Sequence, residues 1–382
     1  MKQILFFLCI GYVTYIQAQV PVVLNDVNMP FAAGQSFSPV GANLTGFVLP
    51  STGPDQTWDY SGLVQTNTYY YSYVAPPTAT FPTATFADTG IAVSFIAGTV
   101  YYTDFYYIEN SSYVGSIGTV TKKQEYNIGT VTGGAQDSCT FPVQFHEFDS
   151  TNILMKFPAT ENSAWNANYT DKVDFNLTVV AYGINNVPCK RVSHVTKADT
   201  VIAWGSIVIP AGSGSSIPYE VLLVKRQTAS ADSFYMNGTP ASPILLGAFG
   251  LTQGQITISN RYYFWRPGSV YPALFINFGS DNFTTPTSVY FDGDAEPSIG
   301  INENLFAASI QFYPDQAGNC IYIKASPGSI VSIFDLSGKK LFESEINSNN
   351  VSVPTGNFDA GLYLAKISDG NASIIKKFTI AR

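Results

Sequence analysis

Gly361-Leu362-Tyr363-Leu364-Ala365-Lys366-Ile367-Ser368, then Asp369-Gly370-Asn371, then Ser373-Ile374-Ile375-Lys376-Lys377-Phe378-Thr379-Ile380 run almost to the end of the chain. Asp-Gly between two alternating apolar runs predicts a β-hairpin, because those residues tolerate the positive φ angles of a two-residue turn. Working outward, the strand signals continue. Ile310–Tyr313 runs into Pro314, Cys320–Lys324 alternates apolar and polar, and Ser329–Phe334 is a β-branched run closed by Asp335-Leu336-Ser337-Gly338. Leu341–Ile346 and Val351–Val353 add two short runs. Closely spaced strands without a helical period predict a small immunoglobulin-like β-sandwich at the C-terminus.

The same residues carry a family pattern: Phe312-Tyr313-Pro314, Ile330–Phe334 leading into Asp335, Gly338 and Lys339, then Gly361 and Tyr363, and finally Lys376-Lys377-Phe378. In that order they resemble the C-terminal sorting domain of the type IX (Por) secretion system. The resemblance implies residues 305–382 as a sorting domain, with Tyr313, Pro314, Asp335, Gly338, Gly361, Tyr363, Lys376 and Lys377 as its signal. It implies the type IX machinery as partner, passage through the periplasm, and a secreted or outer-membrane surface destination. One departure stands out: the family usually has Asn-Pro after Tyr-Pro, and here Asp315-Gln316 follow. Losing a proline that fixes φ loosens that loop without erasing the pattern.

The N-terminus agrees with export. Lys2 precedes an apolar run, Ile4 to Ile16, and Ala18 offers a small residue before a cut, so residues 1–18 are expected to be a signal peptide removed by signal peptidase. The run is short for a membrane span. Beyond it, residues 19–291 are expected to form an all-β body, a β-sandwich or jelly roll of one or two subdomains with a boundary near residues 160–171. Its runs are short, aromatic and separated by Pro, Gly and Asn clusters such as Ala75-Pro76-Pro77 and Pro210-Ala211-Gly212. Low charge, 12% of residues, with 24 Tyr and 27 Phe, suits pleated half-buried surfaces. Residues 19–303 hold 21 acids and 11 bases, a net charge of −10, whereas residues 304–382 hold 6 acids and 7 bases. That acidic body argues against a nucleic-acid partner, which would need clustered Lys or Arg. Three body segments, Gly53–Tyr60, Trp204–Pro210 leading into Tyr219–Arg226, and Tyr263–Pro272, resemble uncharacterised exported proteins that carry this sorting domain.

Candidate chemistry is sparse. His146 and His194 are the only histidines; His146 shares a strand face with Phe148 while Glu147 and Asp149 point the other way, so a surface or hydrogen-bonded role is expected. Ser213 and Ser215 lie in a Gly-Ser loop without a nucleophile elbow. Asp292, Asp294 and Glu296 alternate in a loop that resembles part of a calcium site, but the expected reading is an acidic, solvated linker over residues 292–304 with no cofactor. An oxidising route permits Cys139 to pair with Cys189, and leaves Cys320 as a buried apolar stand-in. The aromatic runs Tyr69–Tyr71, Tyr101-Tyr102 and Tyr262–Trp265 place rings on both strand faces. If one face is exposed it makes a platform for sugars or a partner protein, and Trp58, Trp204 and Trp265 are the candidate ligand-binding residues. The expected function is a non-catalytic binding or adhesion module for an extracellular glycan or surface protein. The alternative is a secreted hydrolase acting on polysaccharide or peptide.

Overall fold

The computed structural model describes residues 20–77, 79–95, 99–279, 283–298, 310–315, 320–348, 350–369 and 373–380. The expected signal peptide and residues 299–304 of the expected linker lie outside them. Strands take up 61% of the chain, which makes it all-β as its composition implies. The backbone divides into two units, Met1–Ser298 and Ile299–Arg382.

The first unit holds two large sheets, with strands numbered in chain order. The smaller sheet has the order β1 (Ser36–Phe37), β5 (Tyr71–Val74), β6 (Phe86–Ser94), β7 (Val100–Asn110), β8 (Tyr113–Thr121) and β11 (Gln144–Lys156). The larger begins β4 (Gln65–Thr68), β2 (Pro39–Ala42), β20 (Ser288–Asp292), β19 (Leu274–Gly279) and β18 (Gln255–Trp265). It continues β16 (Tyr219–Met236), β13 (Ile184–Val208), β12 (Ala164–Val179), β10 (Ser138–Phe141) and β9 (Gln124–Asn127). Off that path β17 (Thr239–Pro240) pairs with β16, and β3 (Gly53–Asp59) runs parallel to β13. A small hairpin, β14 (Pro210–Ala211) and β15 (Gly214–Ser215), carries Ser215 and turns at Ser213. Because β12 is continuous through residues 164–179, the subdomain boundary expected near residues 160–171 does not fall there.

Three apolar clusters hold these layers together. Between the sheets at one end lie Phe31, Phe86, Trp165, Trp204, Tyr263, Trp265 and Tyr271. At the other end Phe141, Phe175, Leu177 and Ile184 pack with Tyr101. The opposite face of the large sheet is covered by Trp58 and Tyr60 over Phe264, Ile207 and Leu223. A bulge sets which face each tryptophan joins. On β13 the residues through Val201 point inward at odd numbers; Ile202 is unpaired, and beyond it Trp204 points inward while Ala203 and Ile207 pack on the outer face. Each of these side chains contributes about 1.5–3 kcal/mol by leaving water.

The free edge of β12 is closed by side chains rather than by another strand. Gln144 accepts from the Asp174 N–H (2.7 Å) and donates to its carbonyl (2.7 Å), as a peptide group would. Asp149 accepts from the Thr170 N–H (2.7 Å), and His146 Nε2 donates to the Thr170 carbonyl (3.0 Å).

The second unit has a three-stranded sheet, β21 (Gln311–Asp315), β22 (Cys320–Lys324) and β25 (Asn350–Pro354). Its four-stranded sheet has the order β24 (Lys340–Glu345), β23 (Ile330–Asp335), β26 (Gly361–Ser368) and β27 (Ser373–Ile380). Ile321, Ile323, Val331, Ile333, Ala365 and Ile367 form its core. The sandwich expected from the sequence is present, and β26 and β27 pair with Ser368 opposite Ser373. Asp335 caps its turn by accepting from Ser337 N–H, Ser337 Oγ and Lys339 N–H, while Gly338 adopts φ +82°. Tyr363 stacks between Phe358 and Phe378 and donates to the Asp359 carbonyl (2.7 Å). Tyr313 is exposed on β21, whose Pro314 pairs with Ile321. Lys376 and Lys377 lie on the edge strand β27 opposite Ala365 and Leu364 of β26, while the half-buried Gly361 pairs with Ile380.

Candidate functional site

Midway between the two apolar ends, the inner face of the large sheet is polar. On β13 the inward row reads Arg191, Ser193, Val195, Lys197, Asp199, and β16 places Arg226 opposite Asp199. Arg226 Nε donates to Asp199 (2.6 Å), and its Nη2 reaches across to the Leu154 carbonyl on β11 (2.7 Å). Lys197 donates to Asn152 on the same strand (2.5 Å). Arg191 bridges to the Ser94 carbonyl (3.1 Å) and the Tyr101 hydroxyl (3.2 Å), with Asp171 at 3.8 Å. Burial, then the Arg226 charge, holds the Lys197 ammonium well below the ordinary lysine range. These groups tie the sheets together.

Next to this layer the sandwich opens. The chain changes sheet twice at one edge: Ser38 separates β1 from β2, and Tyr69-Tyr70 separates β4 from β5. The Tyr69 N–H donates to the Pro39 carbonyl, which fixes the crossing (2.9 Å). The three tyrosines therefore sit at the seam: Tyr69 and Tyr71 are partly open and Tyr70 is 82% exposed. The wall from the large sheet is a stepped row of rings. Tyr263 on β18 stacks on Phe275 of β19 (5.7 Å), Phe275 on Tyr290 of β20 (5.0 Å), and Tyr290 meets Tyr69 (6.2 Å). A second row runs from Tyr71 to Phe37 (5.5 Å) and from Phe37 to Tyr271 (5.3 Å).

The polar ends of these rings converge. Tyr71 lies within electrostatic reach of Tyr69, Tyr290 and Asp88, and Tyr271 within reach of Tyr263, Tyr290 and Tyr71. The Tyr271 ring is 9% exposed, yet its hydroxyl has no hydrogen-bond partner. An orphan buried hydroxyl costs stability unless something reaches it. Arg261, exposed on β18, donates from Nη1 to the Tyr263 hydroxyl (3.2 Å), and the Arg226 guanidinium lies 4.7 Å from that ring's centre. Burial pulls the Tyr263 phenol up, but the Arg261 and Arg226 charges together bring it below the usual tyrosine range. On the facing sheet Asp88 is pushed up to about 7 by burial and by the charge of Asp104. The result is a seam with a row of stacked rings, tyrosines open to solvent at its rim, a cation on one wall and a protonatable acid on the other. Such a surface offers stacking and hydrogen bonds to a polyol ring.

The residues singled out from sequence fall elsewhere. Trp58, Trp204 and Trp265 are 4%, 4% and 3% exposed, so none can serve as an open platform; both faces of the large sheet are covered where they sit. Asp292 does not belong to a solvated linker. It ends β20, is buried, and accepts from Arg266 Nη2 (2.9 Å), which takes the place a cation would occupy. Glu296 is held back by its N–H to the Tyr219 hydroxyl (2.6 Å), and among the described residues no three His, Cys, Asp or Glu side chains group as a metal requires. The Asp292, Asp294 and Glu296 set therefore does not fit calcium.

Both histidines converge on Thr170. Its hydroxyl proton goes to Asp149 Oδ2 (2.7 Å), so His194 Nδ1 must donate to that oxygen (3.2 Å), while His146 holds the carbonyl. Cys139 and Cys189 are free and buried. One strand, β12, separates them, and they stand opposite Leu177 and Phe175, two residues apart along it, which puts them about 12 Å apart and beyond disulfide reach. Sequence reasoning missed Arg261, Tyr271, Tyr290 and Asp88, since three different strands and the loop between β18 and β19 contribute them. The aromatic runs Tyr69–Tyr71 and Tyr262–Trp265 were the local signals pointing to the place.

Comparisons with known proteins bear on the C-terminal unit. Residues 311–381 match the family model described as the secretion system C-terminal sorting domain. An endo-acting ulvan lyase of Formosa agariphila is 29% identical over 92 residues, which are 23% of this chain and 18% of the lyase, so the chain spans less than a fifth of that relative. Among solved structures, PorZ, an essential surface component of the type IX secretion system of Porphyromonas gingivalis, is 9% identical with 82% of this chain and 58% of PorZ covered. Its TM-score is 0.19, too low to carry an argument. Among the described residues no helix is long and apolar enough to cross a membrane. Residues 311–381 identify the C-terminal unit as a type IX secretion sorting domain, and the chain as a protein sent by that machinery to the cell surface or the extracellular space.

Proposed function

We propose that the body is a non-catalytic carbohydrate-binding module, exported on the signal peptide of residues 1–18 and displayed or released outside the cell. The observation that carries this reading is the run of solvent-open tyrosines at the seam, Tyr69, Tyr70 and Tyr71, beside the Tyr290 ring and the exposed Arg261. The candidate acid–base groups elsewhere are consumed by the fold, as both histidines at Thr170 illustrate. Glycan-array screening of the mature chain, followed by incubation with the bound glycans, tests it. Binding without product is expected. Tyr71→Ala should weaken the best glycan about fivefold, and Tyr271→Phe, which removes a buried hydroxyl without a partner, should raise the thermal midpoint. Release of shorter sugars, or no binding at all, would overturn the module reading.

One observation favours a second reading, a secreted hydrolase acting on polysaccharide or peptide. Asp88, raised to about 7, would carry its proton near neutrality as a general acid does. The ulvan lyase relative lends only its polysaccharide class to that reading.

Delivery has its own test. Removing residues 305–382 should trap the body in the periplasm, protected from protease added to whole cells. Truncated protein in the culture medium would contradict export through the tail.

A further inference from the structure

Resting on the binding reading above, we propose that the seam takes a sugar residue bearing a carboxylate or sulfate, with the Arg261 guanidinium as the seat of the anion. The body is acidic, and only 11 bases offset its 21 acids. Four of those bases, Arg191, Lys197, Arg226 and Arg261, lie on the inner face of the large sheet. Arg226 is spent on Asp199, Arg191 on Asp171, Ser94 and Tyr101, and Lys197 on Asn152. Arg261 differs: among the described residues it makes no ion pair, and its hydrogen bond is to the neutral donor-acceptor Tyr263.

That single bond uses one of five guanidinium donors and fixes the plane of the group. The remaining fork matches the paired oxygens of a carboxylate or sulfate ester. Exposure of Arg261 leaves the fork open to solvent. The geometry beside it suits the rest of a sugar. The Tyr263, Phe275 and Tyr290 rings step away from Arg261 along three neighbouring strands, stacked on one another in an apolar row against which a sugar can lie. Asp88 lies on the opposite sheet, near Tyr71, Tyr73 and Tyr107. An anion is drawn to the guanidinium, so the two walls orient the ring: anion toward Arg261, hydroxyls toward Asp88.

The test uses the mature chain and four probes: tetragalacturonate, its carboxyl-reduced counterpart, a sulfated galactan tetrasaccharide, and its desulfated form. Titration calorimetry should show at least one anionic probe binding about tenfold or more tighter than its neutral counterpart, with the difference shrinking as salt rises. Which anionic probe wins separates carboxylate from sulfate. Arg261→Met should abolish the preference while retaining the neutral-probe affinity and the near-UV spectrum, and Arg261→Lys should restore part of it. Equal binding of charged and neutral probes, or a preference that survives Arg261→Met, would overturn the anion seat and leave the binding module standing. Binding of none of the four, together with an empty glycan array, would remove the binding reading itself. A Tyr71→Ala variant should weaken all probes alike; if it erases only the charge preference, the anion sits elsewhere.

Discussion

Asp199→Ala is expected to lower the unfolding free energy by about 3–5 kcal/mol, read as a drop in the urea midpoint. Asp199 has no exposed surface and holds Arg226, itself buried between the sheets. Removing the carboxylate leaves the guanidinium with the Leu154 carbonyl and the face of Tyr263, neither of which balances its charge. Lys197, on the same inner row, loses its only attractive charge as well. The pair nevertheless adds little as a pair. Burial lifts the Asp199 carboxyl above its usual range even with Arg226 beside it, so desolvation outweighs attraction. Asp199→Leu combined with Arg226→Met should therefore recover most of the loss. A double variant as unstable as Asp199→Ala, or a single variant costing under about 1 kcal/mol, would show that the layer is solvated and that the sandwich is open further in.

Gly205→Ala is expected to cost about 3–5 kcal/mol, by strain and collision together. Gly205 sits at φ +154° on β13 where β3 runs alongside in parallel, and a Cβ there would strike the backbone of Gln56. The strand would have to peel away, taking Trp58 and Tyr60 off Phe264. Loss of near-UV signal with the lowered midpoint would report it. Gly214→Ala is the control: nothing lies within 4 Å of the added carbon, and a change within about 0.5 kcal/mol is expected. If both substitutions behave alike, the close approach of β3 is wrong.

The C-terminal sandwich was legible because each of its strands alternates: Val331 and Ile333 turn inward, and the hairpin of β26 and β27 falls on the residues expected for it. The body was legible only in class. Residues 164–179, 184–208 and 219–236 are long strands, but the sequence suggested only short runs separated by Pro, Gly and Asn clusters. On β13 the inward row is Arg191, Ser193, Lys197 and Asp199, so polar residues occupy both faces and the period of two vanishes from the hydropathy pattern. The tryptophans misled for the opposite reason. Rings on both faces of a strand suggested one open face, whereas two separate cores cover the large sheet there. Arg261 and Tyr271 carry no local signature at all; their meaning comes from which strands the fold sets side by side.

The side-chain closure along β12 has a bearing on life outside the cell. A bare sheet border exposes N–H and carbonyl groups that any similar chain can copy, and long borders invite stacking into fibres. Gln144 imitates a backbone amide toward Asp174, and Asp149 and His146 do the same for Thr170. Outside the cell, among identical molecules, those decoys leave fewer free groups along that stretch for a neighbour to zip onto.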